Sequence, residues 1–181
     1  APRDASSQTA SLNQAATVAL SFDDASDFAM ASRGLIATMP GAKVEVNGHT
    51  AWDCANHDFL RDTPAPDTAH PGLWRQGQLN AIHGIFKVTD KVWQVRGYDI
   101  SNMTVIEGDT GWVLVDVLTT APTAAACLKL VNDTLGERPV QAVIYTHSHA
   151  DHYGGILGVT SAADVEARNV RIIAPEGFLR E

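Results

Sequence analysis

The sequence predicts an α/β protein whose C-terminal part is one half of a layered α/β sandwich. From about residue 85 onward, short β-rich segments alternate with turns, and a strand–helix–strand pattern follows them. Antiparallel strands followed by strand–helix–strand are typical of such a sandwich, because the helix covers one face of the sheet. Apolar residues make up 45% of the 181 and charged residues 19%, which is a globular rather than a disordered composition.

The first part of the chain predicts a leader followed by an arm. Residues 1–20 are rich in Ala, Ser, Thr and Gln, so we expect a mobile leader. Because Ala1 is not Met, we expect the chain to begin at a processing site or at the edge of an expressed fragment. Residues 21–82 are the predicted N-terminal arm, which combines helical and extended segments.

Three local patterns define the arm. The segment 21–38 predicts a helix that is capped by Ser21 and carries acidic residues in its first turn. The Asn-Gly pair at 47–48 predicts a β-hairpin over 43–52, because this pair readily forms the two-residue turn that joins such strands. The prolines within 61–72 predict an extended segment that wraps a surface.

Residues 83–181 are the predicted first part of the sandwich domain. The pattern predicts strands over 85–88, 91–97, 102–107 and 112–117, a helix over 120–135, a strand over 140–145, a short helix over 162–168 and a strand over 170–173. The strand runs are apolar enough to be buried on both faces. We therefore expect exposed apolar surface on the layer formed by 113–117 and 140–145, unless another chain covers it.

Four potential metal ligands lie within six residues, directly after the strand predicted over 140–145. They are His147, His149, Asp151 and His152. His147 and His149 are two residues apart, so in extended geometry their rings point the same way. Asp151 and His152 are adjacent and should diverge, so the stretch can give each of two metal ions one pair of ligands. Imidazole and carboxylate suit zinc, iron or manganese, and the pattern favours a metal site over a solvated loop.

The H-x-H-x-D-H pattern after a buried strand resembles the signature of the metallo-β-lactamase fold superfamily. That signature indicates a fold and a two-metal site but no substrate, because several classes of hydrolase share it. A narrower resemblance adds the upstream sequence. The segments GLWRQGQLNAIHGIFKVTDKVWQVRGYDISNMTVIEGDTGWVLVDVLTT and GERPVQAVIYTHSHADHYGG closely resemble the zinc-dependent alkyl sulfatases of that superfamily. The resemblance extends from about Trp52 to about Pro175.

The resemblance implies a fold and a set of site residues. The fold is the N-terminal half of a metallo-β-lactamase αββα sandwich, preceded by the helical and extended arm. His147 and His149 are implied ligands of one Zn²⁺, and Asp151 and His152 of a second, with the remaining ligands outside this chain. Asp151 is also the candidate catalytic residue. The implied reaction is hydrolysis of an alkyl sulfate ester to an alcohol and inorganic sulfate by water activated at the two zinc ions.

The resemblance also implies partners and a location. It implies a homodimer, with residues 21–82 as a contact arm, and a periplasmic or secreted protein. Because no His follows His152, we expect a companion segment or a companion chain to complete the fold and the metal site. The net charge of −8 argues against a nucleic-acid partner, and no apolar run approaches the ~20 residues of a transmembrane helix.

Two alternative functions stay open at this point. The first keeps the fold and changes the substrate, giving a lactonase, a thioesterase or a β-lactamase. The second is a non-catalytic fragment that needs a second chain. A substrate panel separates the first alternative from an alkyl sulfatase, and metal analysis tests the second.

Several further residues have more than one interpretation. Asp116 either supports the metal residues by hydrogen bonding or caps the helix that follows it. The polar residues 98–102 either line a cleft or form an ordinary loop. His83 is more typical of a structural histidine than of a ligand. Cys54 and Cys127 have no neighbouring basic residue in sequence, so neither is assigned as a nucleophile.

Overall fold

The computed structural model describes residues 3–180, which form two compact units. Unit 1 consists of residues 3–33 and 56–82, and unit 2 of residues 34–55 and 83–180. Residues 34–55, which the sequence assigns to the arm, therefore belong with the sheet. Residues 1, 2 and 181, at the ends of the predicted leader and of the predicted domain, lie outside the described residues.

Unit 1 is helical. It contains α1 (Ser7–Ala19), α2 (Ser26–Ser32) and α3 (Pro71–Asn80), and the 3₁₀ turn Cys54–Leu60 leads into its second segment. Helix α1 lies within the predicted mobile leader. The Ser6 hydroxyl accepts a hydrogen bond from Thr9 N (3.1 Å) at its start, and Ala, Gln and Leu within it favour helix.

The helix predicted over 21–38 is shorter than expected. Helix α2 begins at Ser26, where Asp24 Oδ1 accepts from Ser26 N (2.8 Å), and Ser21 does not cap it. Gly34 has φ +81°, which ends the helical path. Strand β1 (Leu35–Ala37) follows and pairs with a distant strand, Leu35 with Phe86 and Ala37 with Ile85. The second half of the predicted helix is therefore wrong, because tertiary pairing overrides a weak local preference.

Helix α3 begins at Pro71, within the last two residues of the segment predicted to be extended, and continues beyond it. Pro71 fits its first turn, and His70 Nδ1 accepts from Gly72 N (3.1 Å) as the cap. The Arg75 guanidinium donates to both carboxylate oxygens of Asp27 (2.7 and 2.6 Å) and lies 5.0 Å from the centre of the Phe28 ring. These contacts join α3 to α2 within unit 1.

Unit 2 contains a hairpin and a seven-stranded sheet. The predicted hairpin is confirmed as β2 (Lys43–Val46) and β3 (His49–Asp53), with Asn47 and Gly48 both at positive φ. The sheet has the order β1-β4-β5-β6-β7-β8-β9. Its other strands are β4 (Gly84–Thr89), β5 (Val92–Arg96), β6 (Met103–Glu107), β7 (Trp112–Val115), β8 (Val140–Ile144) and β9 (Arg171–Ile173). The helices of unit 2 are α4 (Ala121–Leu135), α5 (Ala150–Tyr153) and α6 (Ala162–Glu166).

The direction of the strands changes at β7. The pairs β4–β5, β5–β6 and β6–β7 are antiparallel, whereas β7–β8 and β8–β9 are parallel. Helix α4 connects β7 to β8, is capped by Thr120 and ends at Gly136. Its residues Ala124, Cys127 and Val131 are fully buried in the same core cluster as Leu114 and Val143. The predicted α/β half-sandwich is confirmed. The carboxyl ends of its parallel strands lie on the same side of the sheet.

The exposed apolar surface lies elsewhere than predicted. In the layer formed by 113–117 and 140–145, the apolar side chains are buried or half-buried. Larger exposure occurs at the two outer strands of the sheet, at Leu35 (41%), Ile36 (46%) and Ile173 (47%). The central strands have a neighbour on both sides, whereas β1 and β9 have one. Within residues 3–180, no helix is both long and apolar enough to cross a membrane.

Candidate metal centre

The four predicted ligands lie on one turn, residues 146–155, which we call the histidine turn. It follows β8 directly and includes α5. Two backbone hydrogen bonds fasten it to the segment after β7: Val117 N donates to His152 O (2.8 Å), and Gly155 N donates to Leu118 O (2.9 Å). The histidine turn therefore lies against the ends of the parallel strands, where ligand sites of such sheets commonly form.

Two glycines permit this close approach. A Cβ on Gly154 would lie 2.3 Å from Thr119 O, and one on Gly155 would lie 2.0 Å from Val117 O. Real Cβ atoms do not approach backbone oxygens this closely. The Gly-Gly pair therefore lets the histidine turn pack directly on the backbone that leaves β7.

The histidine turn brings the predicted ligands together. The ring centres of His147 and His149 are 4.6 Å apart, and those of His147 and His152 are 4.0 Å apart. Asp151 Oδ2 lies 3.2 Å from His152 Nε2. The expectation that Asp151 and His152 diverge on this turn is wrong, because the two side chains face each other on the four-residue helix α5.

Asp116 orients His152. Its buried carboxylate accepts from His152 Nδ1 (2.7 Å), from Thr146 N (2.9 Å) and from Thr146 Oγ1 (2.7 Å). With Nδ1 engaged in this way, Nε2 is the ring nitrogen that faces Asp151. Helix α4 is capped by Thr120 instead. Of the two interpretations of Asp116, the structure supports the one in which it holds the histidine turn through His152 and Thr146.

The donors of the histidine turn fit a metal ion in chemical type and, for one pair, in spacing. Two ligand atoms bound tetrahedrally at ~2.1 Å stand about 3.4 Å apart, close to the 3.2 Å between Asp151 Oδ2 and His152 Nε2. Imidazole and carboxylate suit zinc, iron and manganese. Among residues 3–180, no group of three or more His, Cys, Asp or Glu side chains is arranged to hold an ion.

Other predicted residues have structural surroundings. His83 Nδ1 lies 3.1 Å from the Tyr98 hydroxyl, which accepts from Met39 N (2.7 Å), and burial raises the pKa of Tyr98 to about 12. This network supports the structural interpretation of His83. Cys54 and Cys127 are buried and form no disulfide, and burial raises the pKa of the Cys127 thiol, which disfavours the reactive thiolate.

The polar residues 98–102, which we call the polar loop, belong to the surroundings of the site. Asp99 and Ser101 point inward and are 8% and 7% exposed. The Ser101 hydroxyl donates to the backbone oxygen of Asp151. The sequence indicates polarity here but no partner, because the partners lie 20 to 50 residues away along the chain.

Comparison with known proteins finds similarity to one superfamily and to a group of its larger members. Residues 96–181 match the metallo-β-lactamase superfamily. The chain is 47% identical over 175 residues to an (R)-specific secondary-alkylsulfatase and 46% identical over 177 residues to a linear primary-alkylsulfatase, both from Pseudomonas sp.. Each of these two matches covers 97% of this chain and 26% of the relative.

A solved structure shows the same similarity in three dimensions. It is a stereoselective inverting sec-alkylsulfatase from Pseudomonas sp., with 47% identity and a TM-score of 0.92. The match covers 98% of this chain and 28% of that one, so the chain spans about a quarter of the length of its relatives. Residues 96–181 therefore carry the similarity to the metallo-β-lactamase superfamily, and the chain is similar to alkylsulfatases over nearly its whole length.

Proposed function

We propose that the protein hydrolyses alkyl sulfate esters to an alcohol and inorganic sulfate, using two zinc ions held in part by His147, His149, Asp151 and His152. The observation that carries the proposal is the convergence of these side chains on one turn in a chain 47% identical to an alkylsulfatase. The remaining zinc ligands would come from a companion segment, since the relatives are about four times as long as the match.

The charge of the substrate supports a role for metal ions. An alkyl sulfate is an anion, whereas this chain carries a net charge of −8, and the histidine turn contains no Lys or Arg. A bound zinc ion would supply the missing positive charge and would lower the pKa of a water ligand, so that hydroxide forms near neutral pH.

The residues of this chain would hold the metal ions and orient the attacking water. Asp116 fixes the His152 ring, so that Nε2 is presented beside Asp151. The free lone pairs of Asp151, the candidate catalytic residue, would orient the attacking water by accepting a hydrogen bond. The Gly154–Gly155 contact keeps the whole turn against the end of β7.

A substrate panel with purified, zinc-loaded protein tests the proposal. We expect inorganic sulfate to be released from sec-octyl sulfate or dodecyl sulfate, and no turnover of a lactone, a thioester or a β-lactam. Hydrolysis of any of these last three without sulfate release would establish the alternative hydrolase instead. Identities of 47% and 46% to a secondary and a primary alkylsulfatase do not separate the two sulfates, so both are needed.

Hydrolysis of an alkyl sulfate can break either the C–O bond or the S–O bond. Inversion at a carbon requires attack on that carbon, and the solved relative is named an inverting enzyme. We therefore propose cleavage of the C–O bond here too. In water labelled with heavy oxygen, the label should appear in the alcohol, and label found only in the sulfate would show attack at sulfur.

We also propose that the protein is a homodimer with residues 21–82 as the contact arm. We propose further that it lies in the periplasm or outside the cell. Light scattering of the purified protein should give twice the chain mass, and a mass equal to one chain would exclude the dimer. Fractionation of the source cells should recover the activity outside the cytoplasm.

A further inference from the structure

Ser101 connects the polar loop to the histidine turn. Its hydroxyl donates a hydrogen bond to the backbone oxygen of Asp151, although the two residues are 50 apart in sequence. Ser101 is only 7% exposed, so water replaces this bond poorly if it is lost. The bond therefore fixes the backbone of one predicted ligand relative to the polar loop.

Asp99 in turn fixes the polar loop. Its Oδ1 accepts from Ile100 N (2.7 Å) and Thr119 Oγ1 (2.5 Å), and its Oδ2 accepts from Thr119 N (3.2 Å) and Thr123 Oγ1 (2.6 Å). A buried carboxylate with four donors is held firmly, because each oxygen has its hydrogen bonds satisfied. Asp99 thus anchors the polar loop to the start of α4.

The backbone just before Thr119, which Asp99 binds, is in an unfavourable conformation. Asp116 and Leu118 have φ of +57° and +66°, in the left-handed region that residues with a Cβ disfavour. Such conformations persist where surrounding contacts enforce them, and they concentrate at functional sites. Asp99 bonds the next residue, Thr119, through both its N–H and its hydroxyl.

The histidine turn needs outside support. Helix α5 has only four residues, and His149 makes no side-chain cap at its start. A single helical turn is unstable by itself, because nucleation fixes several residues for very few hydrogen bonds. The geometry of Asp151 and His152 therefore depends on contacts from other segments, and Ser101 supplies one directly at Asp151.

We propose that Ser101 and Asp99 are positioning residues for the metal ligands: Ser101 holds the Asp151 backbone, and Asp99 holds Ser101. The inference rests on the proposed metal-dependent function, since the residues that are positioned are Asp151 and His152. In this arrangement Asp151 is already held in place before a metal ion binds. Without the Ser101 bond, Asp151 must be ordered when the metal binds, which weakens metal affinity.

The test measures zinc affinity by competition with a chromophoric chelator, in purified protein that includes the proposed companion segment. Ser101→Ala removes only the hydroxyl, and we expect zinc to bind about tenfold more weakly. The matched control is Thr134→Val, which removes a hydroxyl that donates to Leu130 O (2.7 Å) on α4. We expect wild-type zinc affinity for the control. The visible spectrum of the cobalt-substituted protein should change in Ser101→Ala and not in Thr134→Val.

A second variant tests the Asp99 anchor and covers the case in which Ser101→Ala does not fold. Thr123→Val deletes one of the four donors to Asp99, and we again expect weaker zinc binding without a change in the number of ions bound. Failure of the wild-type protein to bind zinc would refute the proposed function itself. Wild-type affinity in both variants, or an equal loss in the Thr134→Val control, would overturn the positioning role alone.

Discussion

At the scale of single residues, Asp116 links the strand that precedes α4 to the histidine turn. One carboxylate accepts from His152 Nδ1 and from both the N–H and the hydroxyl of Thr146. The sequence leaves its role undecided, because its partners lie 30 and 36 residues further on. The same holds for Asp99 and Ser101, whose polarity is visible in the sequence and whose partners are not.

Substitution of Asp116 should weaken metal binding far more than it weakens the fold. Asp116→Asn keeps the shape but places an amide where a carboxylate oxygen accepts from His152, so the ring loses its fixed orientation. We expect zinc affinity, measured by chelator competition, to fall by about 10- to 100-fold.

The control for this substitution is an exposed aspartate. Asp133→Asn removes the same charge from a residue paired with Lys129 on the surface of α4 (2.6 Å). Exposed ion pairs contribute little, so this variant should bind zinc like the wild type. Equal affinities in the two variants would show that Asp116 does not orient a ligand.

At the scale of elements, the sequence predicts the sheet region and the hairpin well and the rest of the arm poorly. The strands from β4 to β9 and helices α4 and α6 follow from apolar patterns, turn residues and the Gly136 stop, all of which are local. The 43–52 hairpin follows from its Asn-Gly turn. These elements are predictable because neighbouring residues alone determine them.

The arm differs because its structure depends on distant contacts. Strand β1 replaces the end of the predicted 21–38 helix, since Leu35 pairs with Phe86 in a strand far along the chain. Helix α3 begins at Pro71, which the sequence reads as part of an extended segment, although Pro also suits a first helical turn. A local pattern cannot decide between these uses of proline.

The packing of the histidine turn on the end of β7 gives a prediction at this scale. In Gly155→Ala the new methyl group would meet Val117 O at 2.0 Å and the Ala124 side chain at 2.8 Å. Overpacking of this kind costs about 1–3 kcal/mol, so the free energy of unfolding in urea should fall by that amount.

The comparison variant for Gly155 is Gly72→Ala in α3, whose new methyl group would meet its nearest neighbour, His70 Nδ1, at 3.3 Å. Alanine favours helix over glycine by about 1 kcal/mol, so this variant should be as stable as the wild type or slightly more so. If Gly155→Ala were as stable as the wild type, the histidine turn would not pack as closely on the backbone after β7 as the structure shows.

At the scale of the whole molecule, we propose that the chain supplies part of a metal site. Four donors of the right chemical type lie on one turn, but the described residues hold no group of three or more that could bind an ion. The relatives extend well beyond the matched region, and the outer strands of the sheet carry exposed apolar side chains. Both observations agree with a site completed by further chain.

We propose that metal ions held by the histidine turn drive sulfate ester hydrolysis. The most direct test is the rate of sulfate release from sec-octyl sulfate after dialysis against a chelator, with and without added zinc. We predict that dialysis abolishes release and that zinc restores it in the wild type and in His49→Ala, a variant of an exposed histidine in β3, but not in His149→Ala. An undiminished rate after chelation, or full recovery in His149→Ala, would show that metal ions on the histidine turn do not drive the reaction.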